Sequence, residues 1–96
     1  NFTQAYEKAL QECDKYDKTF IHPFDDKKVI AGQATLFLEI INQFKDNLDY
    51  LFIPIGGGGL ISGAINVFKQ LSPNTKIIGI EPKGAPSMFK SIEKNE

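Results

Sequence analysis

Apolar residues recur at helical spacing in three stretches of the chain. Between residues 2 and 16 they fall three or four positions apart, which predicts one face of an amphipathic helix. The same period predicts helices over 29–44 and 60–71. A last helix is predicted to begin at Pro86, since proline suits the first helical position.

The continuous apolar run at 50–55 lacks the alternation of a half-exposed strand. Such a run predicts a strand that is covered on both faces, as in a parallel sheet. Residues 76–81 are predicted to form another strand. A shorter β-prone run at 19–21 predicts a third strand, ended by His22 and Pro23. The order α-β-α-β-α-β-α predicts an α/β fold: a parallel sheet with helices on both faces, in which 50–55 and 76–81 are neighbours.

Composition limits the classes of function. The chain has 96 residues, 42% of them hydrophobic and 24% charged, and a net charge of −1, which is typical of one soluble domain. Without a basic patch a nucleic-acid partner is not expected, and without an apolar run of about 18 residues neither is a membrane span. The single cysteine, Cys13, indicates a reducing compartment.

The two ends favour the interpretation that the chain is a piece of a longer protein. It starts with Asn1, which forms a predicted capping box with Gln4, and it stops within a charged helical pattern. A processed small protein is the alternative. If the chain is a piece, apolar residues of helix 29–44 are expected to be exposed.

Four consecutive glycines, 56–59, stand between a predicted strand and a predicted helix. Glycines lose the most backbone entropy on folding, so a run of four requires a reason. An anion cradle supplies one, because backbone N–H groups can converge there with those of the helix start at Leu60. A tight turn without a ligand is the alternative.

The spacing of the loop favours a monophosphate over a nucleotide. A dinucleotide fold needs a third glycine where Ile61 stands, although Glu81 lies where a ribose-binding acid is expected. A Walker loop needs a lysine after its last glycine, and here Leu60 follows.

Several segments resemble fold-type II pyridoxal-phosphate enzymes, and among them the threonine dehydratase, serine dehydratase and serine racemase family. The segments, in collinear order, are Asn1-Phe2 with Ala5-Tyr6, His22-Pro23-Phe24-Asp25-Asp26, Ile30-Ala31-Gly32-Gln33, Ile53 to Gly63, and Glu81-Pro82 with Gly84-Ala85-Pro86-Ser87-Met88. The resemblance implies a fold like that of the tryptophan synthase beta subunit, here incomplete. It also implies that 1–21 belong to the small domain and 22–96 to the large cofactor-binding domain.

The resemblance implies that the cofactor's phosphate lies on Gly56, Gly57, Gly58 and Gly59 near the backbone of Leu60. It implies further that Phe24 borders the pyridoxal ring. In serine racemase relatives the residues that match Glu81 and Ala85 help to bind a divalent cation, but Ser87 stands where a further acid is expected, which weakens that prediction. Ala34 replaces a usual glycine at what is expected to be a tight helix contact.

The implied activity is conversion of L-threonine to 2-oxobutanoate and ammonia, as in isoleucine biosynthesis, by a homo-oligomer in the cytoplasm or an organelle. The lysine that carries the cofactor covalently lies in a Ser-x-Lys-x-Arg-Gly-Ala type segment, which this chain lacks. The chain alone is therefore predicted to be inactive. Serine as the substrate, a non-catalytic module that binds a phosphorylated metabolite, and a nucleotide binder are the alternatives.

Other polar residues favour structural roles. His22 is expected to be structural rather than an acid–base catalyst, and Cys13 a small buried hydrophobe. Asp25 and Asp26 are expected to be solvated or to cap the following helix rather than to bind a cation.

Overall fold

The computed structural model describes residues 1–95. Within that range helices alternate with strands in the second half of the chain, as the periodicity predicts. The elements are α1 (Phe2–Tyr16), α2 (Lys27–Gln43), β1 (Tyr50–Pro54), α3 (Gly59–Leu71), β2 (Lys76–Ile80) and α4 (Ser87–Lys94).

The two strands form a parallel sheet whose register runs from Tyr50 opposite Lys76 to Pro54 opposite Ile80. Helix α3 connects them, as parallel strands require a crossover. The predicted pairing of these two strands is confirmed, and with it the α/β fold class.

One face of the sheet carries the core. Ile53 is buried there with Phe37 of α2 and with Ala64, Val67 and Phe68 of α3. The rings of Phe37 and Phe68 meet edge to face, with centroids 6.1 Å apart. On the other face, among the residues described, the large side chains are exposed: Tyr50, Phe52, Ile78 and Ile80.

Helices α2 and α3 lie in close contact at Gly63. A Cβ atom at Gly63 would lie 2.7 Å from the backbone nitrogen of Ala34, so the contact leaves no room for a side chain. The sequence placed Ala34 at a tight helix contact, and the structure confirms it. Farther along α2, Leu36 and Leu38 are exposed, as expected for that helix.

The predicted strand at 19–21 is wrong. These residues are irregular, and no strand within residues 1–95 pairs with them. Phe20 instead packs edge-on against Tyr6 of α1, with centroids 5.3 Å apart, while Ile21 is exposed. Aromatic packing has therefore taken the place of sheet pairing.

The helix ends follow the capping chemistry of the sequence. Asn1 and Gln4 form the predicted capping box of α1. Helix α2 begins at Lys27, two residues before the predicted start at 29, because the Asp26 carboxylate accepts from the amides of Lys28 and Val29 at 2.8 and 3.2 Å. No helix within residues 1–95 is both long and apolar enough to span a membrane.

Removal of the Asp26 cap is expected to destabilise the protein. Asp26→Ala leaves two amides of the first turn without a partner and should lower the free energy of unfolding by about 1 kcal/mol. Asp25→Ala is the matched control, because Asp25 is exposed and its side chain accepts no hydrogen bond within residues 1–95. Thermal unfolding of the two variants compares them, and equal losses would contradict the capping role.

Candidate phosphate-binding site

The glycine loop lies at the carboxyl end of the sheet. Beyond the end of β1, the amide of Ile55 still donates to the carbonyl of Ile80 at 2.8 Å, so the sheet holds the loop up to its first glycine. Helix α3 begins at Gly59, and its hydrogen bonding begins where the amide of Ser62 donates to the carbonyl of Gly58 at 3.0 Å. The loop between these two bonds is made of glycines 56–58.

The amides of this segment form a row of free donors. Among the hydrogen bonds within residues 1–95, the N–H groups of residues 56–61 donate to no acceptor. The first amides of a helix have no partner in their own helix, and its dipole adds positive charge there. Free amides at a helix start are therefore suited to bind an anion.

Gly58 has the backbone conformation that fixes the loop's shape. Its φ angle is 99°, in the left-handed region, and it is the N-cap of α3 without a capping side chain. Residues with a Cβ rarely adopt this conformation. The loop thus depends on glycine here for its path.

Phe24 accounts for two further glycines. A Cβ at Gly57 would lie 2.1 Å from the ring carbons of Phe24, and one at Gly59 would lie 3.1 Å from the Cβ of Phe24. The structure thus brings the predicted site residue Phe24 onto the loop. The sequence explained the four glycines by a phosphate, or alternatively by a tight turn, and missed this packing role, for which no local signal exists.

His22 shapes the turn that presents Phe24. Its Nδ1 accepts from the amides of Asp25 and Phe24 at 2.9 and 3.3 Å, and its ring meets that of Phe24 edge to face at 4.6 Å. Tyr6 and Phe2 of α1 extend this aromatic cluster toward the chain's start. These contacts match the structural role expected for His22.

Glu81 directly follows β2, but its carboxylate is already engaged. Its oxygens accept from the amides of Met88 and Phe89 at 2.7 and 3.0 Å, at the start of α4. Within residues 1–95 no group of three or more side chains of His, Cys, Asp or Glu could hold a metal ion. The cation site at Glu81 and Ala85 stays a prediction.

A parallel strand, a glycine loop and a helix with free first amides are the features of an α/β protein whose loop is suited to bind a phosphate. A family model described as pyridoxal-phosphate dependent enzyme matches residues 1–96, and this chain belongs to that family. The family assignment, the fold class and pyridoxal phosphate as the cofactor all agree with the resemblance found in the sequence.

Individual relatives narrow the comparison. The chain is 50% identical over 95 residues to the biosynthetic L-threonine dehydratase IlvA of Halalkalibacterium halodurans, covering 99% of this chain and 23% of that protein. The solved structure of the processed form of threonine deaminase isoform 2 from Solanum lycopersicum matches with a TM-score of 0.89 at 48% identity, over 100% of this chain and 26% of that one. The crystal structure of serine racemase from Dictyostelium discoideum matches with a TM-score of 0.78 at 40% identity, over 95% of this chain and 29% of that one. The chain thus spans about a quarter of the length of the relatives that it matches.

The residues present fit the phosphate of this cofactor. A phosphate of about −1.5 to −2 charge requires several donors, and the amides of 56–61 are free to supply them. At Gly56 no atom lies within 4 Å of the position that a Cβ would take, so space remains beside the loop. The chain contains no arginine, and neither Lys45 nor Lys69 lies in the loop itself.

Proposed function

We propose that this chain forms the phosphate-binding part of a pyridoxal-phosphate dependent threonine ammonia-lyase, which converts L-threonine to 2-oxobutanoate and ammonia. The observation that carries the proposal is the row of free amides at 56–61, at the start of a helix whose N-cap is Gly58. The 50% identity to a threonine dehydratase supports the choice of substrate.

Each site residue has a defined task in this proposal. The amides of Gly56, Gly57, Gly58, Gly59 and Leu60 hold the 5′-phosphate and so anchor the cofactor. Phe24 supplies an apolar wall beside the loop, against which the ring is expected to lie. When bound, pyridoxal phosphate supplies the electron sink for the negative charge that develops at the substrate's α-carbon.

The reactive amine has to come from outside these residues. The lysines of this chain lack the Ser-x-Lys-x-Arg-Gly-Ala context in which the family's covalent lysine stands. Covalent attachment of the cofactor requires that amine. We therefore propose that the chain binds phosphate but catalyses no elimination unless that segment is present.

Turnover by the full-length enzyme tests the substrate. We expect formation of a 2-oxo acid from L-threonine with a kcat/KM at least about tenfold above that for L-serine, since a methyl group is worth roughly 10–200-fold in a matched pocket. The measurement is 2-oxo acid release, with chiral analysis of any remaining serine.

Other outcomes of the same assay distinguish the alternatives. Preference for L-serine with pyruvate release would indicate a serine dehydratase, and D-serine formation would indicate a racemase, which the match to a serine racemase makes the second candidate. Phosphate binding without turnover of either amino acid would indicate a module that senses a phosphorylated metabolite.

Three further parts of the proposal concern the setting of the enzyme. The boundary between 1–21 and 22–96, as parts of a small and a large domain, stays a prediction. Self-association of the full-length enzyme and a cytoplasmic or organellar location also stay predictions. Light scattering and fractionation of cells test the last two.

A further inference from the structure

We propose that Glu81 is a positioning residue for the phosphate loop, acting through α4 and Met88 without touching the cofactor. The inference rests on the proposed function, because the loop at 56–59 has to be the phosphate site. It gives Glu81 a role for which no metal ion is needed.

The first step is the hydrogen bonding of the Glu81 carboxylate to the start of α4. This helix has eight residues, and none of its side chains is buried. Its N-cap, Pro86, makes no capping bond through its side chain. The Glu81 carboxylate instead accepts from the amides of Met88 and Phe89, which are the second and third of the helix. A helix this short is not stable alone, so this charge-assisted pair of bonds fixes where α4 begins.

The second step is the contact between α4 and the loop. The Cε atom of Met88 lies 2.9 Å from the position that a Cβ on Gly58 would take, so the thioether end lies directly on this glycine. Phe24 contacts Gly57 and Gly59, and Met88 contacts Gly58. The glycines that direct the loop therefore lie against side chains from two other segments of the chain.

The third step links this packing to affinity. A run of four glycines has wide conformational freedom, and binding to a loop that is already ordered avoids the cost of ordering it. Met88 restricts Gly58, and Glu81 places Met88 by binding its amide. Loss of the carboxylate should therefore loosen the loop even though Glu81 accepts its hydrogen bonds from Met88 and Phe89 and from none of the amides at 56–61.

The test measures cofactor affinity of the full-length enzyme by absorbance titration of pyridoxal phosphate. Glu81→Ala and Met88→Ala are each expected to raise the Kd about three- to tenfold. The double variant should be no weaker than Glu81→Ala alone, because both residues act along one path. Met88→Leu and Glu81→Gln, which keep the bulk and one acceptor respectively, should restore part of the affinity.

The matched control is Glu93→Ala, which removes an exposed carboxylate from the same helix and should leave the Kd unchanged. Pyridoxal without its phosphate should bind all variants equally, since only the phosphate contacts the loop. Hydrogen exchange should become faster at the amides of Met88 and Phe89 in Glu81→Ala and faster at 56–61 in both variants.

Three results would overturn the inference. One is an unchanged Kd in Glu81→Ala when its α4 amides exchange faster. Another is a double variant in which the losses of affinity from Glu81→Ala and Met88→Ala add fully. The third is an affinity of the wild-type enzyme for pyridoxal phosphate that rises with Mg²⁺ and falls with a chelator, together with an unchanged Kd in Met88→Ala. That result would assign Glu81 to the binding of a cation. Wild-type enzyme that binds no pyridoxal phosphate would instead overturn the proposed function itself.

Discussion

Gly58→Val in the full-length enzyme is expected to weaken pyridoxal phosphate binding by at least about tenfold. The φ angle of 99° is strained for a β-branched residue, and such strain costs on the order of 1–3 kcal/mol. A tenfold loss of affinity corresponds to about 1.4 kcal/mol. The free amides at 56–61 would no longer keep the arrangement that Gly58 gives them, so the loss should appear in the Kd from absorbance titration.

Gly84→Val is the control for this experiment. Gly84 also lies in a loop, but no atom lies within 4 Å of its Cβ position and its φ is not in the left-handed region. Its replacement should leave the Kd within about twofold of wild type, because substitutions at the surface usually have small effects. Equal affinity of the Gly58 and Gly84 variants would mean that the glycines serve only the turn. Gly57 is a poorer test site, since a side chain there collides with the ring of Phe24, whereas at Gly58 it meets only the flexible end of Met88, at 2.9 Å.

Gly63→Val is expected to lower the free energy of unfolding by about 3 kcal/mol. Its Cβ would meet the backbone of Ala34 and Gln33 at 2.7 and 3.0 Å, and backbone atoms cannot turn aside as a flexible side chain can. Helices α2 and α3 would have to separate, which costs at least as much as overpacking a core. Thermal unfolding measures the loss.

Gly32→Val is the matched control in the other helix of the pair. Nothing lies within 4 Å of its Cβ position, so only helix propensity changes. Valine and glycine differ there by less than about 0.7 kcal/mol. If Gly63→Val and Gly32→Val lower the free energy of unfolding equally, the close contact at Gly63 is not the cause of the loss.

Local patterns predicted most of the fold, and contacts between distant residues account for what they missed. The helices at 2–16 and 60–71 followed from the helical spacing of their apolar residues, and the strand pair followed from the apolar run at 50–55 and the alternating order of helices and strands. The run at 19–21 has the composition of a strand, yet whether it pairs depends on a neighbouring strand that only the tertiary structure could supply. Phe20 packs on Tyr6 instead.

The candidate site shows the same division. The loop and its helix start were predictable, because four glycines after an apolar run already indicate an anion cradle. The packing of Phe24 on Gly57 and Gly59 was not predictable, because Phe24 lies more than thirty positions earlier in the chain. Glu81 as a cation ligand stays a prediction, and its bonds to Met88 and Phe89 were missed because they join residues seven and eight positions apart across a turn.

The parallel direction of β1 and β2 allows stability and ligand binding to be altered separately. Both strands end at the edge that carries the glycine loop and Glu81, whereas both begin at the opposite edge, where the Thr75 hydroxyl donates to the carbonyl of Leu48. A strand of five residues places about 16 Å between these edges. Loops of different length around residues 45–48 or 72–75 would therefore change how firmly the sheet is held while the phosphate donors keep their geometry. Homologues whose loops differ at the edge where both strands begin should thus differ in melting temperature more than in affinity for the cofactor.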